Sequence, residues 1–136
     1  MVGGTSGGTG GSHAQLPPTP SVDDLLALAD EPEPAAARWT RAGRALQKHG
    51  YRPTGSVYPR VTGPPAHYNS AARRIVEALL RDPRSTTVMR WRRSYGRLLP
   101  FIEVTAPDGR MFGYSWDVAS SRFRFDGFRE PPAQGP

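Results

Sequence analysis

Cysteine does not occur in this chain, so neither a disulfide framework nor a thiolate metal site is available. Histidine is scarce, three in all, and His13 is stranded in a Gly/Ser run, which argues against a histidine metal site. No apolar run approaches the length of a membrane span. The first residues also lack the basic start and apolar centre of a signal peptide. A chain of this kind leaves its cell only if something else carries it. Lysine and arginine are absent before Arg38, a stretch that holds five of the 12 acidic residues (Asp23, Asp24, Asp30, Glu31 and Glu33).

That last absence makes the remaining charge more informative than the total. The formal net charge is +6, but with all 18 basic residues beyond position 37, residues 38 to 136 carry +11. Such a surplus in a small domain is the electrostatic footprint of a phosphate-backbone binder, the alternatives being a surface selected for solubility or for an acidic protein partner.

Along the 136 residues, glycine and proline, 15 of each, are concentrated rather than spread, which reads as one small domain with a flexible arm. Residues 1 to 20 are low-complexity Gly/Ser/Thr ending in prolines, the composition of a linker. Residues 21 to 34 form a short acidic helical segment, opened by Ser21 with Asp24 three positions on. Leu25, Leu26 and Leu28 give it an apolar side suited to docking on the domain or on a partner. Residues 35 to 131 form the basic domain and 132 to 136 a tail.

Within the domain, the spacing predicts a helix from Ala35 to His49, closed by Gly50. Arg41, Arg44 and Lys48 share one face, Trp39, Ala42 and Leu46 another, and His49 stands at the border. The helix end favours a charged His49 and the basic stripe a neutral one, which makes it a candidate proton shuttle. A proline-rich crossing follows. Asn69 is expected to cap a second helix over Ser70 to Arg81, with Ala71, Ile75, Val76, Leu79 and Leu80 inward. From Ser85 the period turns strand-like, giving four strands broken at Ser94 to Arg97, at the Pro-Asp-Gly turn 107 to 109, and at Ala119 to Ser121. Helices followed by four antiparallel strands make an α+β domain, one sheet face against the helices and the other showing Arg90, Arg92, Arg122 and Arg124.

Several short motifs stand in one order: GRALQKHG, a GS element and V-YP, then TG-PP with Asn69, DP, a PDGR turn, and a terminal GF-EP. Together they resemble the C-terminal toxin domains of bacterial polymorphic and contact-dependent toxins, the tips of RHS-repeat, filamentous-haemagglutinin-like and CdiA-like proteins. The resemblance spans about residues 38 to 131. It implies a ribonuclease of the barnase, EndoU, colicin and RelE group (the BECR fold), with helices packed on a four-stranded antiparallel sheet. It further implies an endoribonuclease that attacks RNA, often tRNA, without metal or other cofactor, delivered to act in the target-cell cytoplasm and neutralised by a cognate acidic immunity protein.

Carried over residue by residue, the resemblance makes His49, Lys48, Ser56, Arg110 and, more loosely, Arg90 the catalytic set. Thr54, Met111, Gly113 and the longer loop over Val118 to Ser121 depart from the pattern. RNA supplies its own nucleophile, so an imidazole able to take the 2′-hydroxyl proton and cations that hold the phosphorane-like charge would suffice, leaving a 2′,3′-cyclic phosphate. Arg41, Arg44, Arg92, Arg122 and Arg124 are the expected RNA-contacting residues, and His67 is a reserve acid or base. Each has a plainer reading: His49 or Lys48 as a helix-end group, Ser56 as a turn former, the aromatics Tyr58, Trp91, Tyr95 and Tyr114 as core rather than stacking platforms. The alternative to an enzyme is a non-catalytic RNA- or protein-binding module using the same arginine face.

Overall fold

The structure is a computed structural model and describes residues 15–50 and 57–131. Ser56, Thr54 and Gly55 therefore lie outside the described residues, as do the linker up to residue 14 and the tail from 132. The chain runs α1 (Val22–Ala29), β1 (Pro32–Glu33), β2 (Ala36–Thr40), α2 (Arg41–His49), α3 (Pro65–Arg81), β3 (Thr86–Ser94), β4 (Arg97–Thr105), β5 (Met111–Asp117) and β6 (Arg122–Arg129). The last four form one antiparallel sheet in sequence order, and β1 and β2 form a separate two-stranded ribbon. This is the α+β arrangement expected, with three helices and a four-stranded sheet.

The long helix expected over Ala35 to His49 is instead a strand followed by a helix of nine residues. Ala36–Thr40 is rich in helix-forming residues, and non-local hydrogen bonds override that preference. Asn69 Oδ1 accepts from the Thr40 amide at 2.9 Å, and Asn69 Nδ2 donates to the Arg38 carbonyl at 3.0 Å. Thr40 is then free to cap α2, its hydroxyl accepting from the Gly43 amide at 2.9 Å. Trp39 accordingly sits on the strand. Asn69 is likewise not the cap of the second helix: α3 starts four residues earlier, with Pro64 at the cap and Pro65 in its first turn. Gly50 still has right-handed helical angles, φ −64° and ψ −16°, so α2 does not leave through a left-handed glycine.

The sheet alternates as its sequence predicts. Ile102, Val104, Phe112, Tyr114, Phe123, Phe125 and Phe128 face the helices and are buried with Leu46, Val76 and Leu79. A register shift between Gly113 and Tyr114 leaves Asp126 as an extra residue in β6. Helix α1 belongs to the same core: Leu25 and Leu26 are buried, and the Tyr114 hydroxyl donates to the Leu25 carbonyl at 2.9 Å. The acids in and around it are paired with the domain's arginines, Asp30 with Arg73, Glu31 with Arg122 and Asp23 with Arg81. Among the described residues no helix is long and apolar enough to cross a membrane.

On the opposite face of the sheet Phe101 is 1% exposed, buried apart from the cluster under the helices. The Arg92 guanidinium lies 3.7 Å from its ring centre and that of Arg129 5.5 Å. Gly113 makes room for it, since a carbon added there would stand 2.4 Å from Phe101 Cζ. The glycine that departs from the toxin pattern is thus required by the ring beside it.

Candidate functional site

Strand β6 is the edge of the sheet, and α2 runs beside it. Between them lies a cleft of about 450 Å³ lined by Arg41, Arg44, Lys48 and His49 from α2, Glu33 from β1, and Arg124 to Phe128 from β6. Five residues expected to serve the site, His49, Lys48, Arg41, Arg44 and Arg124, are thereby brought together. The α2 cations line it because the 3.6-residue period puts 41, 44 and 48 on one side while Ala42 and Leu46 are buried on the other. Among the described residues Arg41, Lys48 and Arg124 form no ion pair, and Arg44 hydrogen-bonds only Gln47 and lies 5.7 Å from the Trp39 ring centre. Arg41 Nε is buried without any hydrogen-bond partner there, a donor left over for something else.

His49 closes one end of the cleft and is turned inward. It is 5% exposed, with the Tyr58 ring 5.2 Å and the Phe128 ring 6.2 Å away. Its Nε2 lies 2.6 Å from the Phe128 carbonyl and its Nδ1 2.9 Å from Glu130 Oε2. Both ring nitrogens are thus engaged, one by a backbone carbonyl and one by a carboxyl oxygen. The other Glu130 oxygen accepts from the Val57 amide at 3.1 Å. Glu130 is 27% exposed and joins the site from a position 81 residues along the chain. It is the residue that local pattern passes over, and its one trace in the sequence is the terminal GF-EP motif.

Tyr58 completes this end. Its hydroxyl lies 2.7 Å from the Arg129 carbonyl and 2.8 Å from that of Met111, and it accepts from the Met111 amide at 3.1 Å. Burial pushes its pKa up to about 12. Arg110 and Glu130 both act electrostatically on that hydroxyl, which puts Arg110 at the same end of the sheet, its own side chain paired with Asp108 at 2.9 Å.

The remaining expected residues stand elsewhere. Arg90 is on the open sheet face, 3.2 Å from Glu103, which Arg129 approaches from the other side at 3.9 Å. Arg92 covers Phe101 and reaches Asp126 at 4.0 Å. Arg122 is taken by Glu31. His67 is exposed on the first turn of α3, its Nδ1 3.1 Å from the Thr62 carbonyl, and does not line the cleft.

A family model for the CdiA C-terminal tRNase toxin domain matches residues 29–130. The chain belongs to that family. Its activity is therefore that of a tRNA-cleaving toxin effector, and between a ribonuclease and a non-catalytic binding module the family decides for the enzyme. CdiA C-terminal toxin domains are delivered into target cells. No curated relative matches the chain. Among solved structures it is similar to the toxic C-terminal tip of CdiA from Pseudomonas aeruginosa, crystallised in complex with immune protein. The TM-score is 0.51 and the identity 24%, over 76% of this chain and 98% of that one. At that identity the likeness establishes the shared α+β fold.

Proposed function

We propose that this CdiA C-terminal tRNase domain holds the RNA backbone in the cleft between α2 and β6 and cuts it by attack of the ribose 2′-hydroxyl on the adjacent phosphorus. The observation that carries this reading is that Arg41, Lys48 and Arg124 face one cleft and form no close ion pair, Asp117 acting on Arg41 and Arg124 only from beyond contact distance. Elsewhere in the domain the arginines at the sheet face and around α1 are matched to carboxylates. Guanidinium and ammonium groups so placed neutralise phosphate oxygens and the extra charge of the pentacoordinate transition state. Bond formation from the 2′-oxygen to phosphorus and departure of the 5′-oxygen leave a 2′,3′-cyclic phosphate and a 5′-hydroxyl. This route uses no metal ion, and digestion in EDTA tests that.

Glu130 is the base in this scheme. The His49 ring is engaged at both nitrogens and buried, whereas the Glu130 carboxylate beside it is 27% exposed and so the more accessible of the two to a hydroxyl. His49, the base expected from the sequence, is then a positioning residue that orients Glu130 and ties the end of α2 to β6. Lys48, from the last turn of α2, binds the scissile phosphate, and Arg110 acts from the Tyr58 end; Ser56, expected to assist, lies outside the described residues. The broader kinship with the barnase, EndoU, colicin and RelE ribonucleases is supported by helices packed on a four-stranded antiparallel sheet. Action in the target-cell cytoplasm follows from a tRNA substrate, and an acidic immunity protein that fills the basic cleft is the matching inhibitor.

The test is digestion of total tRNA in EDTA with end-group analysis. Wild-type protein gives products ending in cyclic phosphate, and a 2′-deoxy residue at the cut site blocks cleavage. Glu130→Gln lowers kcat by about 10²- to 10⁴-fold, the range of general-base catalysis, with an unchanged melting profile. Full activity in that variant removes Glu130 from the role. His49→Gln lowers activity through Glu130, and a shift in the pH profile of kcat distinguishes a displaced base from a loosened fold.

A further inference from the structure

The β3–β4 hairpin closes through Tyr95 and Gly96, between the paired Ser94 and Arg97. Both central residues have positive φ, 49° at Tyr95 and 78° at Gly96. That is the two-residue turn in which Asn-Gly or Gly-Gly is at home. A bulky residue held in left-handed backbone is strained, and such outliers gather where a site has use for them. The Tyr95 ring gains nothing from the fold in return, being fully exposed at 103%.

Below this ring a groove of about 390 Å³ crosses the open sheet face, lined by Arg92, Leu99, Ser115, Arg124 and Asp126 among others. Arg124 and Asp126 line the α2–β6 cleft as well, so the two depressions meet across the edge strand. Their charges differ. The cleft sets Arg41, Arg44, Lys48 and Arg124 against Glu33 and Asp126, whereas the groove balances Arg92 and Arg124 against Asp117 and Asp126. The first suits a polyanionic backbone. The second offers a guanidinium donor, a carboxylate acceptor, a hydroxyl and an aromatic rim with no net charge, which suits the polar edge and flat faces of a nucleobase.

We propose that this groove is a nucleobase subsite. An unpaired base of the strand whose phosphates occupy the α2–β6 cleft stacks on Tyr95 and turns its edge toward Arg92 and Asp126. The inference rests on the cleft as the backbone site, and its test is independent of cleavage. Fluorescent single-stranded RNAs with 2′-O-methyl riboses, which cannot be cut, are titrated against the full chain, one strand bearing all its bases and one of equal length and charge with abasic positions. Wild-type protein prefers the base-bearing strand by roughly fivefold to a hundredfold, the range of one base–aromatic stack. Tyr95→Asn and Tyr95→Gly, both at home in the turn, lose the preference while binding the abasic strand as wild type does, and Tyr95→Trp keeps it. Equal or absent binding of the two strands by wild type, or a preference that survives both turn-compatible substitutions, overturns the subsite. If uncuttable strands show the preference while tRNA digestion yields no cyclic phosphate, the cleavage chemistry fails and the subsite stands.

Discussion

The two arginine-bearing surfaces carry similar side chains in opposite electrostatic states. In the cleft, Arg41, Lys48 and Arg124 form no close ion pair among the described residues, and Asp117 acts on Arg41 and Arg124 only at longer range. On the sheet face Arg90 and Arg129 share Glu103, Arg92 reaches Asp126, and the Arg92 and Arg129 guanidinia also lie over Phe101. Counting arginines therefore overstates the positive potential of the sheet and misses that of the cleft. The sheet arginines hold a buried ring and a carboxylate in place, while Arg41 and Lys48 of α2 form no close ion pair.

The sharpest way to break this contrast is to remove charge from each surface in turn. Arg41→Ala with Lys48→Ala is expected to lower kcat/KM for tRNA by about 10²- to 10³-fold, at the scale of losing transition-state charge stabilisation. The slope of log affinity against log salt also becomes shallower, by roughly 0.7 for each phosphate of a single strand that the protein no longer neutralises. Arg90→Ala with Glu103→Gln, on the sheet, is expected to leave kcat within a few-fold. If the sheet pair gives the larger loss, the assignments of the two surfaces are exchanged.

Smaller effects test the scaffolding. Asn69→Ala removes the acceptor for Thr40 and the donor to Arg38, so β2 and the cap of α2 loosen together. A loss of about 2–3 kcal/mol in chemical denaturation is expected from partly buried hydrogen bonds of this kind. Gly113→Ala forces Phe101 out of its seat and should cost about 1–3 kcal/mol. It also shifts Arg92 and Arg129, so it perturbs the nucleobase groove before the cleft. The mildest test is alkaline. Tyr58 titrates at about 12 in the folded protein against a normal value of 10.0, so its contribution to stability is complete below about pH 10 and is lost as pH rises toward 12. Tyr58→Phe is expected to flatten that decline in melting temperature.

The sheet was legible because its signals are local. Alternation along β4 and β6, the Pro-Asp-Gly reversal and the Tyr95-Gly96 turn all lie within a few residues of what they determine. So was the apolar stripe of α3. What escaped depends on partners far along the chain. Ala36–Thr40 reads as helix by propensity and is a strand because β1 and Asn69 hold it extended. His49 reads as a border residue of a basic helix and is an interior one because Glu130 and the Phe128 carbonyl pull its ring toward β6. The three cations of α2 were found for the right reason, since helical period alone places them on one face.

Helix α1 has a practical corollary. The family match starts at Ala29, but Leu25 and Leu26 are sealed inside the structure and Tyr114 leans on the Leu25 carbonyl. Trimming the polypeptide at the aligned edge would strip a leucine-lined wall from the β6 side and orphan a phenol. An excision that keeps the molecule whole begins ahead of Ser21, the residue that caps α1.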